Sequence, residues 1–531
     1  MMRRGWLGCV LPLVAFLMSF AAVTCFDHAL ADYRYPYAVD SASYVDMARS
    51  WRAVGHPLVT PWDVDQGPDA IPQVLFPPGF SAVIAALAPL AGNELRAAQW
   101  PSRWAAVLLP VIILLLFRGA VSDRALVWVA AVAVLTPGVR EWHYMAYSDV
   151  PALLLAVGAL GCLARGVAWV GAASRWRGLW LFFAGTLAGV SYSVRNASLA
   201  VLFASALVLL YAAWRERRVG WDSAWWMIGA APWVLALWIY NLRTFGRLQP
   251  YVMPPSTRSW AANVGDYGVS QLADLGIPPH WLNPVCATLL LLILVAGWAY
   301  RGWQLKAQPK RQGMLVLLTV FTVSGASLLV VSRSRYEWGG FIDARYTLQY
   351  AWAVAFGIAL WVTGVHRPLI QWLCRALAIA VLGMLLLAAV QDVMRWQGWG
   401  AQSWLLLSKD PAVRAAVQAM PSDTLMASNA AAFLRLDANR SVREIEVGGT
   451  DADFAATLAQ AAVMAGSRPI TFFLVCDEFV GQVSACKADA AGAARGPHCR
   501  IIRRMPPVVA VCEPVTPPAV SEAKGVQDGG Q

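Results

Sequence analysis

Charge is scarce in this chain. Only 14% of its 531 residues are Asp, Glu, Lys or Arg, where a soluble globular protein carries about a quarter. Apolar residues make up 58%. One soluble core cannot absorb that much apolar surface, because cores stop growing at about 250–300 residues. Lipid is the solvent that fits. Acids are also fewer than bases, 31 against 42, for a net charge of +11. The bases fall in short stretches between apolar runs, as in Trp214-Arg-Glu-Arg-Arg218 and the 301–311 segment. That distribution follows the positive-inside rule, so no nucleic-acid partner is expected. The six histidines (His28, His56, His143, His280, His366 and His498) are scattered without metal-ligand spacing, and no CxxC pair is present. A Walker loop, GxGxxG, HExxH and GxSxG are all missing. No nucleotide or other cofactor is expected, and a divalent metal is not indicated. Nor is there an internal repeat of the solenoid or transporter kind.

Long apolar runs are what the chain has in abundance. The first extends without charge from Gly5 to Phe26, behind Arg3 and Arg4. It exceeds the roughly 7–15 residues of a signal-peptide core and is long enough to span a bilayer. It reads as an uncleaved helix whose start is held in the cytoplasm. Further spanning runs fall near 97–117, 124–141, 149–164, 178–194, 198–214, 222–240, 284–300, 313–331, 346–364 and 376–391. The run 79–92 is too short to cross and suits the interface. The 27 Trp fit the same environment. About eleven spans place the N-terminus in the cytoplasm and the C-terminus outside the inner (plasma) membrane of a bacterium, with an acid-rich first outer loop over 27–78.

The fold class expected is an α-helical polytopic membrane protein with a small C-terminal α/β soluble domain. Residues 1–391 form the transmembrane part. Residues 392–514 form the outer domain, with a helix over Asp453–Ala465 and strands over Ile470–Val475 and Val508–Cys512. Residues 515–531 read as a disordered tail. Of nine cysteines, Cys9, Cys25, Cys162, Cys286 and Cys374 lie in or beside apolar runs and read as packing residues. Cys476, Cys486, Cys499 and Cys512 share the outer domain, where an oxidising compartment would allow two disulfides in any of three pairings.

Several residues stand out against this apolar background. Asp40-Ser-Ala-Ser-Tyr44-Val-Asp-Met-Ala48 reads as a short amphipathic helix with Asp40 near its start. Asp followed by Ser is also a common helix cap. Pro77-Pro78-Gly79 breaks the chain ahead of an apolar stretch. Ser148-Asp149-Val-Pro151 opens a spanning run, with Ser148 or Asp149 as its cap. An ionisable group there is expensive unless paired or wet, which makes Asp149 a functional candidate. Arg195-Asn196 separates two runs, and Asp343-Ala-Arg345-Tyr346 opens another. Topology brings Asp40, Asp149, Arg195 and Arg345 to the outer side. Either arginine alone could merely snorkel to the headgroups. Two acids and two arginines on one side suit a phosphate, whose oxygens accept the paired hydrogen bonds of a guanidinium.

In this order the features resemble the GT-C superfamily of integral-membrane glycosyltransferases. Within it they are similar to the branch of lipid A aminoarabinose transferase and the protein mannosyltransferases. The resemblance covers roughly residues 1–365. It rests on the Asp40…Tyr44…Ala48 opening, the Pro77-Pro78-Gly79 step, Ser148-Asp149-Val-Pro151, the Gly-rich stretch 184–190 leading to Arg195, and Arg345-Tyr346. One departure is clear: the lipid A branch carries a Glu-Lys pair before its Pro step, where this chain has Leu75-Phe76. The resemblance implies an inverting transfer of a sugar from a polyprenyl-phosphate donor to a glycan, lipid or protein acceptor at the outer membrane face. Asp40 would be the base, with Asp149 as a second acid raising its pKa. Arg195 and Arg345 would meet the donor phosphate, with Tyr44 and Tyr346 lining the substrate and Pro77, Pro78 and Gly79 shaping the site. Two other readings differ in what they demand. A transporter or flippase of a lipid-linked sugar would favour charges near the bilayer midplane and broken helices. A non-catalytic envelope-assembly protein would tolerate Asp40→Asn.

Overall fold

The computed structural model describes residues 2–59, 70–170, 176–216, 221–250, 253–304, 308–337, 342–362, 368–398, 403–421, 424–438, 442–445, 447, 450–465, 469–476, 483–486, 499–503 and 507–512. The expected tail 515–531 lies outside them. The chain divides into two compact units. The first comprises Met1–Pro36, Ser43–Leu58 and Pro72–Gly400; the second comprises Tyr37–Ala42, Val59–Ile71 and Ala401–Gln531.

The chain opens with α1 (Met2–Ala31) and α2 (Val39–Val54), followed by two-residue strands β1 (Leu58–Val59) and β2 (Ile71–Pro72). Then come α3 (Gly79–Ala91), α4 (Glu94–Leu116), α5 (Asp123–Leu135), α6 (Pro137–Trp142), α7 (Asp149–Gly166), α8 (Arg177–Val194), α9 (Leu199–Glu216) and α10 (Trp221–Phe245). α11 (Trp260–Ala273), α12 (Pro284–Gln304), α13 (Pro309–Arg335), α14 (Ala344–Val362) and α15 (Pro368–Gly398) complete the first unit. Seven described helical stretches are long and apolar enough to cross a membrane: Val10–Ala31, Glu94–Leu116, Asp149–Gly166, Asn196–Arg215, Ser223–Phe245, Pro309–Arg335 and Gln371–Gly398. The protein is a membrane protein. Leu, Ile and Met side chains such as Met18, Leu210, Ile239 and Ile379 stay exposed along these helices, as lipid contact requires.

Local chemistry explains where the helices start and stop. Asn93, Ser122 and Ser259 cap α4, α5 and α11, each side chain accepting a first-turn N–H. The run expected as one span over 124–141 is instead two helices. Pro137 begins α6, and the residue before a proline is pushed out of the helical region, so Thr136 turns extended with ψ 141°. The run 79–92 is a 13-residue helix, α3. The Gly-rich stretch of α8 serves close packing. Gly185 and Gly189 face Trp226 and Ala230 of α10, and Gly229 faces Phe182 in return; a Cβ at any of the three would meet backbone within 3 Å. α8 is thereby fixed along its length, and Arg195 follows directly at its end.

The second unit holds α16 (Ser403–Lys409), α17 (Pro411–Gln418), β3 (Leu425–Ser428), α18 (Ala431–Ala438), β4 (Val442–Glu444), α19 (Asp451–Ala465), β5 (Ile470–Cys476), β6 (Cys499–Arg503) and β7 (Val508–Cys512). Its sheet has the order β4-β3-β5-β7-β6. β3 pairs parallel with β4 and β5, and β7 pairs antiparallel with β5 and β6. The strands expected over Ile470–Val475 and Val508–Cys512 coincide with β5 and β7. The disulfides are Cys476–Cys486 and Cys499–Cys512. Cys25, Cys162, Cys286 and Cys374 are free.

Candidate active site

Asp149 is the first residue of α7 and is fully buried. A buried carboxylate needs partners, and it has two. Arg195 Nη2 lies 2.8 Å from Oδ1, and Arg345 Nε lies 3.3 Å from both Oδ1 and Oδ2. The start of α7, the end of α8 and the start of α14 therefore meet around one carboxylate. Both guanidiniums are mostly enclosed, with 11% and 15% of their side chains exposed. The Nε of Arg195 is buried and has no hydrogen-bond partner among the described residues. Arg345 is held from its other side by aromatic faces. Its guanidinium carbon sits 4.2 Å from the Tyr147 ring centre, 5.6 Å from Trp142 and 5.9 Å from Tyr346.

Tyr44 joins this cluster from α2. Its hydroxyl is 2.8 Å from Ser148 Oγ, next to Asp149, and its ring packs on Phe76 and Phe80 at 5.0 and 4.9 Å. Phe76 and Phe80 flank Pro77-Pro78-Gly79. Gly79 presses on the end of α8, where a Cβ would meet the Ser193 carbonyl within 3 Å. Asn196 Nδ2 donates to the Leu75 carbonyl at 3.2 Å. The Pro step thus touches both the residue before Arg195's neighbour and the aromatic face behind Tyr44.

The capping expectations are corrected. Ser148 occupies the cap position of α7, but neither it nor Asp149 makes a side-chain cap bond; Ser148 is turned to Tyr44. Asp40 lies inside the first turn of α2. The Ala38 N–H, one residue outside that helix, donates to Ser41 Oγ at 3.2 Å, so Ser41 performs the reciprocal half of a capping box. Asp40 precedes Tyr44 by one helical turn.

Two charged groups escaped the sequence reading. Arg34 pairs with Glu141 and lies 5.1 Å from the Trp142 ring. Trp142 in turn stacks on Tyr147 at 5.4 Å. Trp142 is one of 27 tryptophans and carries no local signal. Asp343 accepts from the Arg345 N–H at 2.9 Å, and burial raises its pKa, against the opposing Arg345 bond and charge. Among the described residues, no three His, Cys, Asp or Glu side chains gather as a metal site would require.

No protein-family profile and no curated protein matches the sequence. Solved structures do match its architecture. ArnT from Cupriavidus metallidurans in the apo state aligns with a TM-score of 0.55 at 14% identity, over 96% of this chain and 98% of that one. The same protein bound to undecaprenyl phosphate gives 0.54 at 14%, over 94% and 97%. The oligosaccharyltransferase AglB from Archaeoglobus fulgidus, in complex with an inhibitory peptide and a dolichol-phosphate, gives 0.52 at 12%, over 88% of this chain and 70% of that one. The likeness is one of fold: the chain shares the architecture of ArnT and of this oligosaccharyltransferase.

Proposed function

We propose that the protein is a glycosyltransferase that moves a sugar from a polyprenyl-phosphate donor to an acceptor at the outer face of the inner membrane. The observation that carries this reading is the pair Arg195 and Arg345, gathered on one buried carboxylate, with a buried Arg195 N–H unpartnered among the described residues. A lipid phosphate would supply the missing acceptor. The fold's presence in proteins solved with undecaprenyl phosphate and dolichol-phosphate supports the same class of donor.

In the reaction, the acceptor hydroxyl attacks the anomeric carbon as the bond from that carbon to the phosphate oxygen breaks, with inversion. Asp40 takes the hydroxyl proton as general base. Polyprenyl phosphate leaves with added negative charge, which Arg195 and Arg345 stabilise. Asp149 orients the two guanidiniums, so less of their geometry must be found at the moment of reaction. Tyr44 and Tyr346 line the substrate, and Pro77, Pro78 and Gly79 hold Tyr44 and the end of α8. The donor carries its own phosphate leaving group, so no nucleotide site is required. The disulfides of the second unit favour an oxidising compartment for it, with the N-terminus in the cytoplasm.

The test follows label from a radiolabelled polyprenyl-phosphate sugar pool in purified membranes. Wild type should label an acceptor, and Asp40→Asn at matched protein level should lose about a hundredfold or more. Equal transfer by the variant would remove Asp40 from the reaction. No transfer by wild type would overturn the donor class.

A further inference from the structure

Polar contacts continue along α14 beyond Arg345. Two residues on, Thr347 is fully buried, and three oxygens surround its hydroxyl. It donates to Asp274 Oδ2 at 2.6 Å, lies 2.7 Å from Ser270 Oγ, and lies 3.3 Å from the Asp343 backbone oxygen. Asp274 ends α11 and is itself fully buried. The backbone N–H of Gly138 in α6 faces it, and Asp274 Oδ1 has no hydrogen-bond partner among the described residues. Gly138 lies so close to α14 that a Cβ there would be 2.7 Å from the Ala344 carbonyl oxygen. Three elements, α11, α6 and the first turn of α14, thus close on one carboxyl group.

The same elements frame Arg345. α6 supplies Trp142 beneath its guanidinium, and Asp343 binds its backbone N–H. We propose that Asp274 and Thr347 are positioning residues, which lock the first turn of α14 against α6 and so set where the Arg345 guanidinium stands. Neither touches substrate. Both act through Arg345, and the inference therefore rests on the lipid-phosphate reading above. The charged and titratable groups facing Asp274 are Asp343 before α14, Arg140 of α6 and Tyr267 of α11. Burial, above all, pushes its carboxyl up to about 8, against the Thr347 hydrogen bond.

A bridge that merely held helices together would behave differently when broken. The experiment measures binding of undecaprenyl phosphate to the purified full-length protein in detergent, for wild type, Thr347→Val, Thr347→Ser, Arg345→Ala and the double variant Thr347→Val/Arg345→Ala. Thr347→Val should weaken binding about tenfold, and Thr347→Ser, which keeps the hydroxyl, should restore it. The double variant should bind within about twofold of Arg345→Ala alone, because the effect travels through that arginine. If Thr347→Val does not fold, Asp274→Asn takes its place in the same cycle. Wild-type affinity in the folded variant, or losses that multiply in the double variant, would overturn the inference and leave the donor reading standing. Failure of the wild type itself to bind undecaprenyl phosphate would overturn both.

Discussion

Asp149 and Asp274 are both buried carboxyl groups, and their surroundings give them opposite characters. Asp149 lies between two guanidiniums. Removing its charge leaves two enclosed cations without their counter-ion, which costs about 3–5 kcal/mol where a buried pair is broken. Asp149→Asn should therefore lower the thermal unfolding midpoint sharply, and Arg345→Met in the same background should recover part of the loss. No recovery would mean that the three groups are not coupled. Asp274 has the Thr347 hydroxyl as its hydrogen-bond partner, and burial raises its pKa to about 8. The unfolded chain ionises near the ordinary carboxylate value of about 3.9. Between those values the folded state holds a proton that the unfolded state has lost. Asp274's contribution to stability thus falls as pH rises, by at most about 1.4 kcal/mol per unit, and levels off above the folded pKa. Asp274→Asn should remove that slope. Unfolding midpoints from pH 5 to 9 should show the variant gaining on wild type up to about pH 8 and then holding a constant offset. A constant difference across the whole range would mean that the carboxyl is not raised.

At the scale of elements, the site depends on where helices end, and Gly79 shows how. Its Cα sits against the Ser193 carbonyl, two residues before Arg195, with no room for a methyl group. Gly79→Ala must push α3 and the end of α8 apart, an overpacking cost of about 1–3 kcal/mol. Sugar transfer should fall by more than the folded fraction does, because the displaced backbone carries Arg195. Parallel losses in transfer and in folded protein would confine Gly79 to packing. The same closeness explains what the sequence made legible. Asp149, Arg195 and Arg345 stand at the ends of apolar runs, where an ionisable group is conspicuous because lipid penalises it. Asp274 and Thr347 were not legible. They lie in ordinary helix-end and helix-start sequence, and only the meeting of α11, α6 and α14 gives them a shared role. The break at Thr136-Pro137 had its signal in the proline, but the apolar run 125–135 just before it outweighed that signal. The pairing of the four outer cysteines was beyond sequence altogether, since spacing permits every combination.

The whole molecule distributes its cysteines unevenly, and that distribution bears on orientation. Both disulfides fall in the second unit, while the free cysteines of known environment, Cys25, Cys162, Cys286 and Cys374, fall in the first. Bonds that close loops with sequence separations of 10 and 13 contribute about 2–4 kcal/mol each where they form. They persist only in an oxidising compartment. A C-terminal unit facing the cytoplasm would hold four thiols; one facing outward would hold none. The distinction can be read in intact cells in a variant with the other five cysteines replaced by Ala. A membrane-impermeant maleimide should label none of Cys476, Cys486, Cys499 and Cys512 at first. It should label all four after a membrane-impermeant reductant, without lysis. The reduced protein should also show earlier proteolysis within 401–512, with residues 72–398 as resistant as before. Labelling without reductant would mean that the bonds do not form. Labelling only after lysis would place the unit in the cytoplasm and overturn the outward orientation proposed for it.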